Sequence, residues 1–344
     1  MTYPLSDSYC TRFNKHKPPI PYIPGQDFVI RSHDPPAPTT ASLSLKFDGA
    51  RERESKHPLE RCLLHPPLQG STGSTTMRVK ILGTVRAGDG HSAQLVTIQA
   101  FYIDRKMINA PPSDVHLIAK FYDPLYFDHE QDDVDPFLCT DHDYSHETAV
   151  YKALCQFQGT IIPRFYGSYT CQLPIPGGKT SRSVRLILVE NVPGISMRNL
   201  KPLDFTQSER QNILKAVVDA ESLLYTHNVR HMDVHPRNIL VLRSDDATLR
   251  VVLIDFGKSL IGRVHYRASP GEEQKYLPGV PISPLLRWNQ AWWHDRQDFF
   301  DEWIDWDWQP WLEYHYGSTR ASITPYMISI WLPSSLTESG PPTP

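Results

Sequence analysis

The chain has 344 residues, 40% hydrophobic and 21% charged, with a formal net charge of −3. That is enough to bury one bilobal core or two ordinary ones, and too nearly neutral to be drawn to nucleic acid or membrane, so neither is expected as a partner. No apolar window reaches the length of a membrane span, the opening MTYPLSDSYC lacks the apolar run of a secretory leader, and the five cysteines (Cys10, Cys62, Cys139, Cys155, Cys171) have no metal-ligand spacing. A monomer with reduced cysteines, in the cytoplasm or nucleus, is the expectation.

Residues 1–74 are rich in Pro, Ser, Thr and His, as in KPPIPYIPG and HDPPAPTTA. Such a segment buries too little apolar surface to offset its ordering entropy, and it is read as mostly disordered. Within it SLSLKF (Ser42–Phe47) alternates apolar and polar residues, as a strand added to the next domain would. From Met77 two strands surround the turn Gly88-Asp89-Gly90-His91-Ser92-Ala93. Its small residues allow backbone N–H groups to approach phosphate oxygens; an ordinary hairpin loop has the same composition. Val115–Asp123 reads as a third strand, apolar except for Lys120, which needs either an anion or an edge to snorkel from.

The acidic run Asp123–Asp143 reads as a solvated loop. Ser145 then caps a predicted helix to Phe157, with Val150, Ala153, Leu154 and Phe157 at helical spacing. Glu147 falls in its first turn, where acids are favoured in any case and where it is a candidate partner for Lys120. Ile161–Thr170 and Ser183–Gly194 read as strands four and five, the second turning at Glu190-Asn191-Val192-Pro193-Gly194 into a linker that would expose backbone groups to a planar ligand. GGKTS between them is not a P-loop, because Leu173 stands where that motif needs its first glycine.

Thr206-Gln207-Ser208-Glu209 is a capping box, and Ile213, Leu214, Val217, Val218, Ala220, Leu223 and Leu224 form the apolar stripe of the helix it opens, which His227-Asn228 ends. The stretch Tyr225–Gly257 follows. His231-Met232-Asp233, Asn238 and Asp255-Phe256-Gly257 set two carboxylates and an amide at the ends of short apolar runs. A phosphoryl-transfer enzyme places its base and metal ligands in this way. All eight tryptophans come after Gly257; they read as helical packing of a second lobe, with an aromatic cage for a quaternary ammonium group as the functional alternative.

Taken in order, the small-residue turn, the strand lysine, the helix glutamate, the linker, HxDxxxxN and Asp-Phe-Gly resemble the signature set of the protein-kinase-like superfamily, from about Val79 to Gly257. The resemblance implies an α+β bilobal fold: a small antiparallel β-sheet lobe with one helix, residues 75–190, and a larger mainly helical lobe, residues 191–334, flanked by the disordered segments 1–74 and 335–344. It implies ATP and Mg²⁺ as cofactors and a kinase activity with a hydroxyl acceptor, on protein Ser/Thr or a small molecule. By this resemblance Asp233 orients the attacking hydroxyl, Asn238 and Asp255 hold Mg²⁺, Lys120 oriented by Glu147 meets the α- and β-phosphates, Gly88 and Gly90 cover them, and Glu190 and Val192 meet adenine. Met232 replaces the arginine of the usual HRD triplet, and His235 stands where typical protein kinases have a lysine beside the transferred phosphate. The resulting HxDxHPxN is similar to aminoglycoside phosphotransferases and to the atypical kinase-like proteins common in fungal genomes. A pseudokinase, binding nucleotide or scaffolding without turnover, is the competing class.

Overall fold

A computed structural model describes residues 17–38, 47–102, 115–129, 134–175, 177, 180–243, 248–262, 277–291 and 297–332. The tail 335–344 lies outside these residues, as does the expected strand Ser42–Phe47 except for Phe47, which opens a helix instead. The fold is α+β with antiparallel sheets. The chain divides into two compact units, Met1–Ala149 with Arg164–Asn191, and Val150–Pro163 with Val192–Pro344.

In the first unit, strands β1 (Asp27–Asp34), β2 (Ser71–Arg86), β3 (Gln94–Tyr102), β4 (His116–Tyr122), β5 (Phe165–Pro174) and β6 (Ser181–Glu190) close into a barrel in the order β1-β2-β3-β4-β6-β5. Alternate residues turn inward: Met77, Val79 and Ile81 of β2, Val96, Ile98 and Ala100 of β3, and Leu117, Ala119 and Phe121 of β4 are all buried in one core. Strand β1 corrects the reading of residues 1–74 as mostly disordered. It pairs with β2 on one side (Ile30 opposite Met77) and β5 on the other (Ile30 opposite Cys171), and so closes the sheet. Ile30 is fully buried and Val29 exposed. A strand hydrogen-bonded on both edges needs few apolar residues of its own, so a composition averaged over a Pro-rich segment hides it.

Two helices, α1 (Phe47–Ser55) and α2 (Pro58–Leu64), also fall in that segment. Arg61 of α2 is buried; its Nε donates to Glu52 Oε1 at 2.9 Å and its Nη1 to His129 Nδ1 at 2.8 Å. His129 Nε2 in turn donates to the Pro124 carbonyl at 2.6 Å. The barrel also holds a buried ion pair. Arg182 of β6 grips Asp123 with two parallel contacts of 2.5 and 2.8 Å, and the Tyr22 hydroxyl donates to the same carboxylate at 2.5 Å. Asp123 is fully buried, and a carboxylate so placed is tolerable only when its lone pairs are met in this way.

The acidic run expected to be a solvated loop is largely structured. Pro124–Tyr126 forms a buried 3₁₀ turn capped by Asp123, and helix α3 runs Pro136–Ala153, beginning well before Ser145. Asp135 is its cap, accepting from the N–H groups of Phe137 (2.9 Å) and Leu138 (3.1 Å), with Pro136 supplying a preset first turn. Glu147 therefore lies deep in the helix and not in its first turn.

In the second unit, helix α4 (Gln207–Thr226) opens with the reciprocal Thr206–Glu209 capping box. It buries Ile213, Leu214, Val217, Val218, Ala220 and Leu224, while Leu223 stays exposed. The helix packs on the hairpin of β9 (Ile239–Arg243) and β10 (Leu249–Leu253), to which β7 (Ile195–Ser196) adds a third strand, and β8 (Val229–Arg230) pairs with β11 (Leu260–Ile261). Short helices α5 (Pro284–Arg287), α6 (Gln297–Phe300), α7 (Trp308–Tyr316) and α8 (Pro325–Trp331) complete the unit. Trp288, Trp303, Trp308 and Trp311 are buried here. Trp288 Nε1 donates to Glu221 Oε2 at 3.0 Å and Trp308 Nε1 to the Trp288 carbonyl at 2.9 Å, so these two rings act as core with their polar tips met, whereas the buried Trp311 Nε1 meets no acceptor among the described residues. No helix among the described residues is long and apolar enough to cross a membrane.

Candidate active site

Lys120 lies on β4 between Leu95 of β3 and Ile187 of β6. The β-alternation that turns Ala119 and Phe121 into the barrel turns Lys120 and Tyr122 to its other face, where Glu147 of α3 meets both. Lys120 Nζ stands 2.6 Å from Glu147 Oε2, and the Tyr122 hydroxyl donates to the same oxygen at 2.6 Å. Lys120 is 5% exposed and Glu147 1%. Tyr122 was not singled out from the sequence, although its place two residues beyond Lys120 is the signal that would have found it.

The turn holding Gly88 and Gly90 has φ of +125° and +83° at these residues, and a Cβ built on either would meet nothing within 4 Å. Glycine is thus called for by backbone conformation and not by crowding. Gly88 N–H donates to Gln94 Oε1 at 2.7 Å, and Gln94 Nε2 returns a bond to the Gly88 carbonyl at 3.1 Å. Asp89 between the two glycines binds Lys17 Nζ at 2.6 Å. In this structure the Gly88 N–H, one of the turn amides expected near phosphate, is engaged by Gln94.

Some backbone groups of the linker are engaged as well. Glu190 N–H donates to the Arg164 carbonyl at 2.9 Å, and Glu190 Oε2 accepts from Arg164 N–H at 2.9 Å, so the Glu190 amide is held by β5's lead-in. The Val192 carbonyl accepts from Gly194 N–H at 2.8 Å, which turns the chain sharply after the strand.

In the second unit the residues around Asp233 are tied together. His231 is buried, donates through Nε2 to the Ile254 carbonyl at 3.0 Å and accepts from Asp233 N–H at 3.4 Å, so it links the Asp233 loop to the residue before Asp255. Burial pushes its pKa down, against the opposing charges of Asp255 and Asp233. Ile254 N–H also donates to the Asn238 carbonyl at 3.0 Å. Asn238 Nδ2 donates to Asp233 Oδ2 at 2.9 Å and to the Asp233 carbonyl at 3.0 Å. Met232 and Asp255 take φ of +59° and +68°, a left-handed conformation that costs a non-glycine residue about 1–2 kcal/mol and is retained where geometry demands it.

His235 caps the 3₁₀ turn Pro236–Asn238, its Nδ1 accepting from Arg237 N–H at 3.2 Å. The imidazole pKa is lowered by burial and by the charges of Arg237 and Arg198, against Asp233. Arg237 escaped notice in the sequence. Its Nη2 reaches Asp233 Oδ1 at 2.7 Å and Oδ2 at 2.9 Å, a contact that the i, i+4 spacing could have announced.

An amide anchored through Nδ2 keeps Oδ1 as its acceptor, so the Asn238 amide oxygen and the Asp255 carboxylate are of the type that could serve Mg²⁺. Among the described residues no three His, Cys, Asp or Glu side chains gather as a metal cage. Two oxygen donors suit an ion that keeps waters and shares substrate phosphates.

Residues 116–267 match the family described as the ABC1 atypical kinase-like domain, a span of less than half the chain. Over 76 residues the chain is 32% identical to the human protein "Phosphorylase b kinase gamma catalytic chain, liver/testis isoform" and to its Bos taurus counterpart. That stretch is 22% of this chain and spans only 16% of those curated relatives. Together the matches support assignment of the chain to the protein-kinase-like superfamily.

Proposed function

We propose that this protein-kinase-like chain is an ATP- and Mg²⁺-dependent phosphotransferase that moves the γ-phosphoryl group to a hydroxyl of a protein or a small molecule. The observation that carries the reading is the joining of Asp233, Asn238 and the Asp255 strand end through the bonds of Asn238 and His231. The Lys120–Glu147 pair at 2.6 Å supports it. In this reading the two units serve as the two lobes, working as a monomer in the cytoplasm or nucleus.

Asp233 accepts or orients the proton of the acceptor hydroxyl, whose oxygen forms the new bond to phosphorus as the bond to the ADP oxygen breaks. Asn238 and Asp255 hold Mg²⁺, which when bound neutralises charge on the β- and γ-phosphates. Lys120, oriented by Glu147 and Tyr122, supplies a positive charge to the α- and β-phosphates. Gly88 and Gly90 of the β2–β3 turn approach them, and backbone groups of Glu190 and Val192 meet adenine. His235 acts by shaping the Asp233–Asn238 loop through its cap on Arg237.

A pseudokinase is the second reading, favoured by the Arg237 contact on both oxygens of Asp233 and by the occupied Gly88 amide. Mg²⁺-dependent ATP consumption by the wild type and by Asp233→Asn separates the two. A phosphotransferase loses at least about a hundredfold on the substitution; equal signals, or none in the wild type, leave the pseudokinase.

A further inference from the structure

Arg237 has no part in the phosphotransferase reading, yet it touches the central carboxylate of the second unit. Its side chain is 39% exposed and that of Asp233 20%, so the pair sits at the solvent boundary. Ion pairs so placed hold weakly and exchange readily. The guanidinium therefore covers Asp233 without locking it.

Its neighbours are also cationic or aromatic. Arg198 is exposed on the 3₁₀ turn Met197–Asn199. Ser196 Oγ clamps that turn to the Asp233 loop by donating to the carbonyls of Pro236 (3.1 Å) and Arg237 (3.3 Å). The exposed ring of Phe299 packs on His235 with centroids 4.3 Å apart. Burial keeps the His235 imidazole below its ordinary range, so near neutral pH it contributes N–H donation more than charge. Two guanidinium groups and one aromatic ring thus stand around Asp233 on a chain whose net charge is −3.

We propose that Arg237, with Arg198 beside it, reads the acceptor: the reacting hydroxyl belongs to an anionic molecule whose carboxylate or phosphate draws Arg237 away from Asp233 and leaves that carboxylate facing the hydroxyl. The proposal rests on the phosphotransferase reading of the same site and names its substrate class. A neutral acceptor leaves Arg237 on Asp233, so the contact selects against it. Planar, forked donation to carboxylate or phosphate is the chemistry that distinguishes arginine from lysine.

The test uses the full chain with Mg²⁺ and a non-hydrolysable ATP analogue, and two matched probe pairs. One pair is glycerol 3-phosphate against glycerol; the other is a serine peptide flanked by Glu against the same peptide flanked by Gln. Calorimetry is expected to show the anionic member of one pair binding about tenfold or more tighter, with the difference lost in Arg237→Gln and reduced in Arg198→Gln, which changes only an exposed turn. The pair that responds tells whether the anion is free or peptide-borne. Equal binding of both members, no binding of either, or an undiminished preference in Arg237→Gln overturns the proposal. If Asp233→Asn abolishes turnover and no anion preference exists, the phosphotransferase reading stands and this inference falls. If the preference exists while Asp233→Asn turns over normally, the patch binds anions and the phosphotransferase reading falls.

Discussion

Glu147→Gln tests how deeply the Lys120–Glu147 pair is buried. The substitution keeps an acceptor for Lys120 Nζ and Tyr122 but removes the negative charge facing an ammonium that is 5% exposed. Taking away one partner of a buried pair costs about 3–5 kcal/mol, and a retained acceptor argues for about 3. Lys120→Met should cost a similar amount by taking the ammonium from a carboxylate that is 1% exposed, with the Tyr122 hydroxyl still donating to it. The double variant Lys120→Met/Glu147→Leu removes both charges and should recover most of the loss, because apolar replacement of a whole buried pair is often neutral. The double variant should nonetheless be inactive in phosphoryl transfer.

Tryptophan fluorescence is the wrong probe for this cycle, since all eight tryptophans lie in the second unit. Amide exchange of peptides covering β4 reports the first unit directly, and 3 kcal/mol corresponds to about a hundredfold loss of protection there. If both single variants cost under about 1 kcal/mol and the double gains nothing, the pair behaves as a hydrated surface contact and the reasoning is refuted.

Tyr22→Phe deletes one charge-assisted bond to Asp123 while Arg182 keeps its hold, so a loss of about 1.5–3 kcal/mol is expected in urea unfolding of the first unit; no loss would mean that water replaces the hydroxyl. His129 is 4% exposed and its pKa is lowered to about 3, chiefly by burial, with its Nδ1 accepting from Arg61. A folded-state value below the unfolded one means that stability is complete above about pH 6.5 and declines by ~1.4 kcal/mol per unit as pH falls toward 3. His129→Gln should flatten that part of the pH–stability curve, and parallel curves for the two proteins would contradict the assignment. Gly70→Ala places a Cβ 2.0 Å from the Asp34 carbonyl oxygen, where β1 joins β2, and should cost about 2 kcal/mol or more. Gly25→Ala, with nothing within 4 Å, serves as the backbone-strain control in the same denaturation series.

What could be read in advance divides by physical cause. His231, Asp233, Asn238 and Asp255 stand out in the sequence by identity at fixed spacing, and in the structure bonds within a short loop and to Ile254 join the first three to the residue before Asp255. The α4 capping box and stripe were legible for the same reason: both are local. Strand β1 was not, since its stability comes from β2 and β5 and not from its own composition. The start of α3 was hidden because Asp135-Pro136 lies inside an acid run that masks the cap. The occupied amides of Gly88 and Glu190 were invisible because Gln94 and Arg164 act through hydrogen bonds that no hydropathy pattern records. Arg237 carries no motif signal, because its contact with Asp233 arises from a side chain that folds back on the loop.

The barrel closure by β1 has a consequence in time. Its strand emerges from the ribosome before any of its partners, and β5, which seals it in, is made only after β2, β3, β4 and α3 have followed. Until then the sheet has two unpaired margins, the kind of surface on which nascent chains associate wrongly. Once β1 is seated between β2 and β5, Ile30, Arg31 and Ser32 pair with Cys171, Thr170 and Tyr169, and among the described residues the six strands form a closed barrel. The hazard is therefore greatest during synthesis, and the long-range pairing of Ile30 with Cys171 is the event that reduces it.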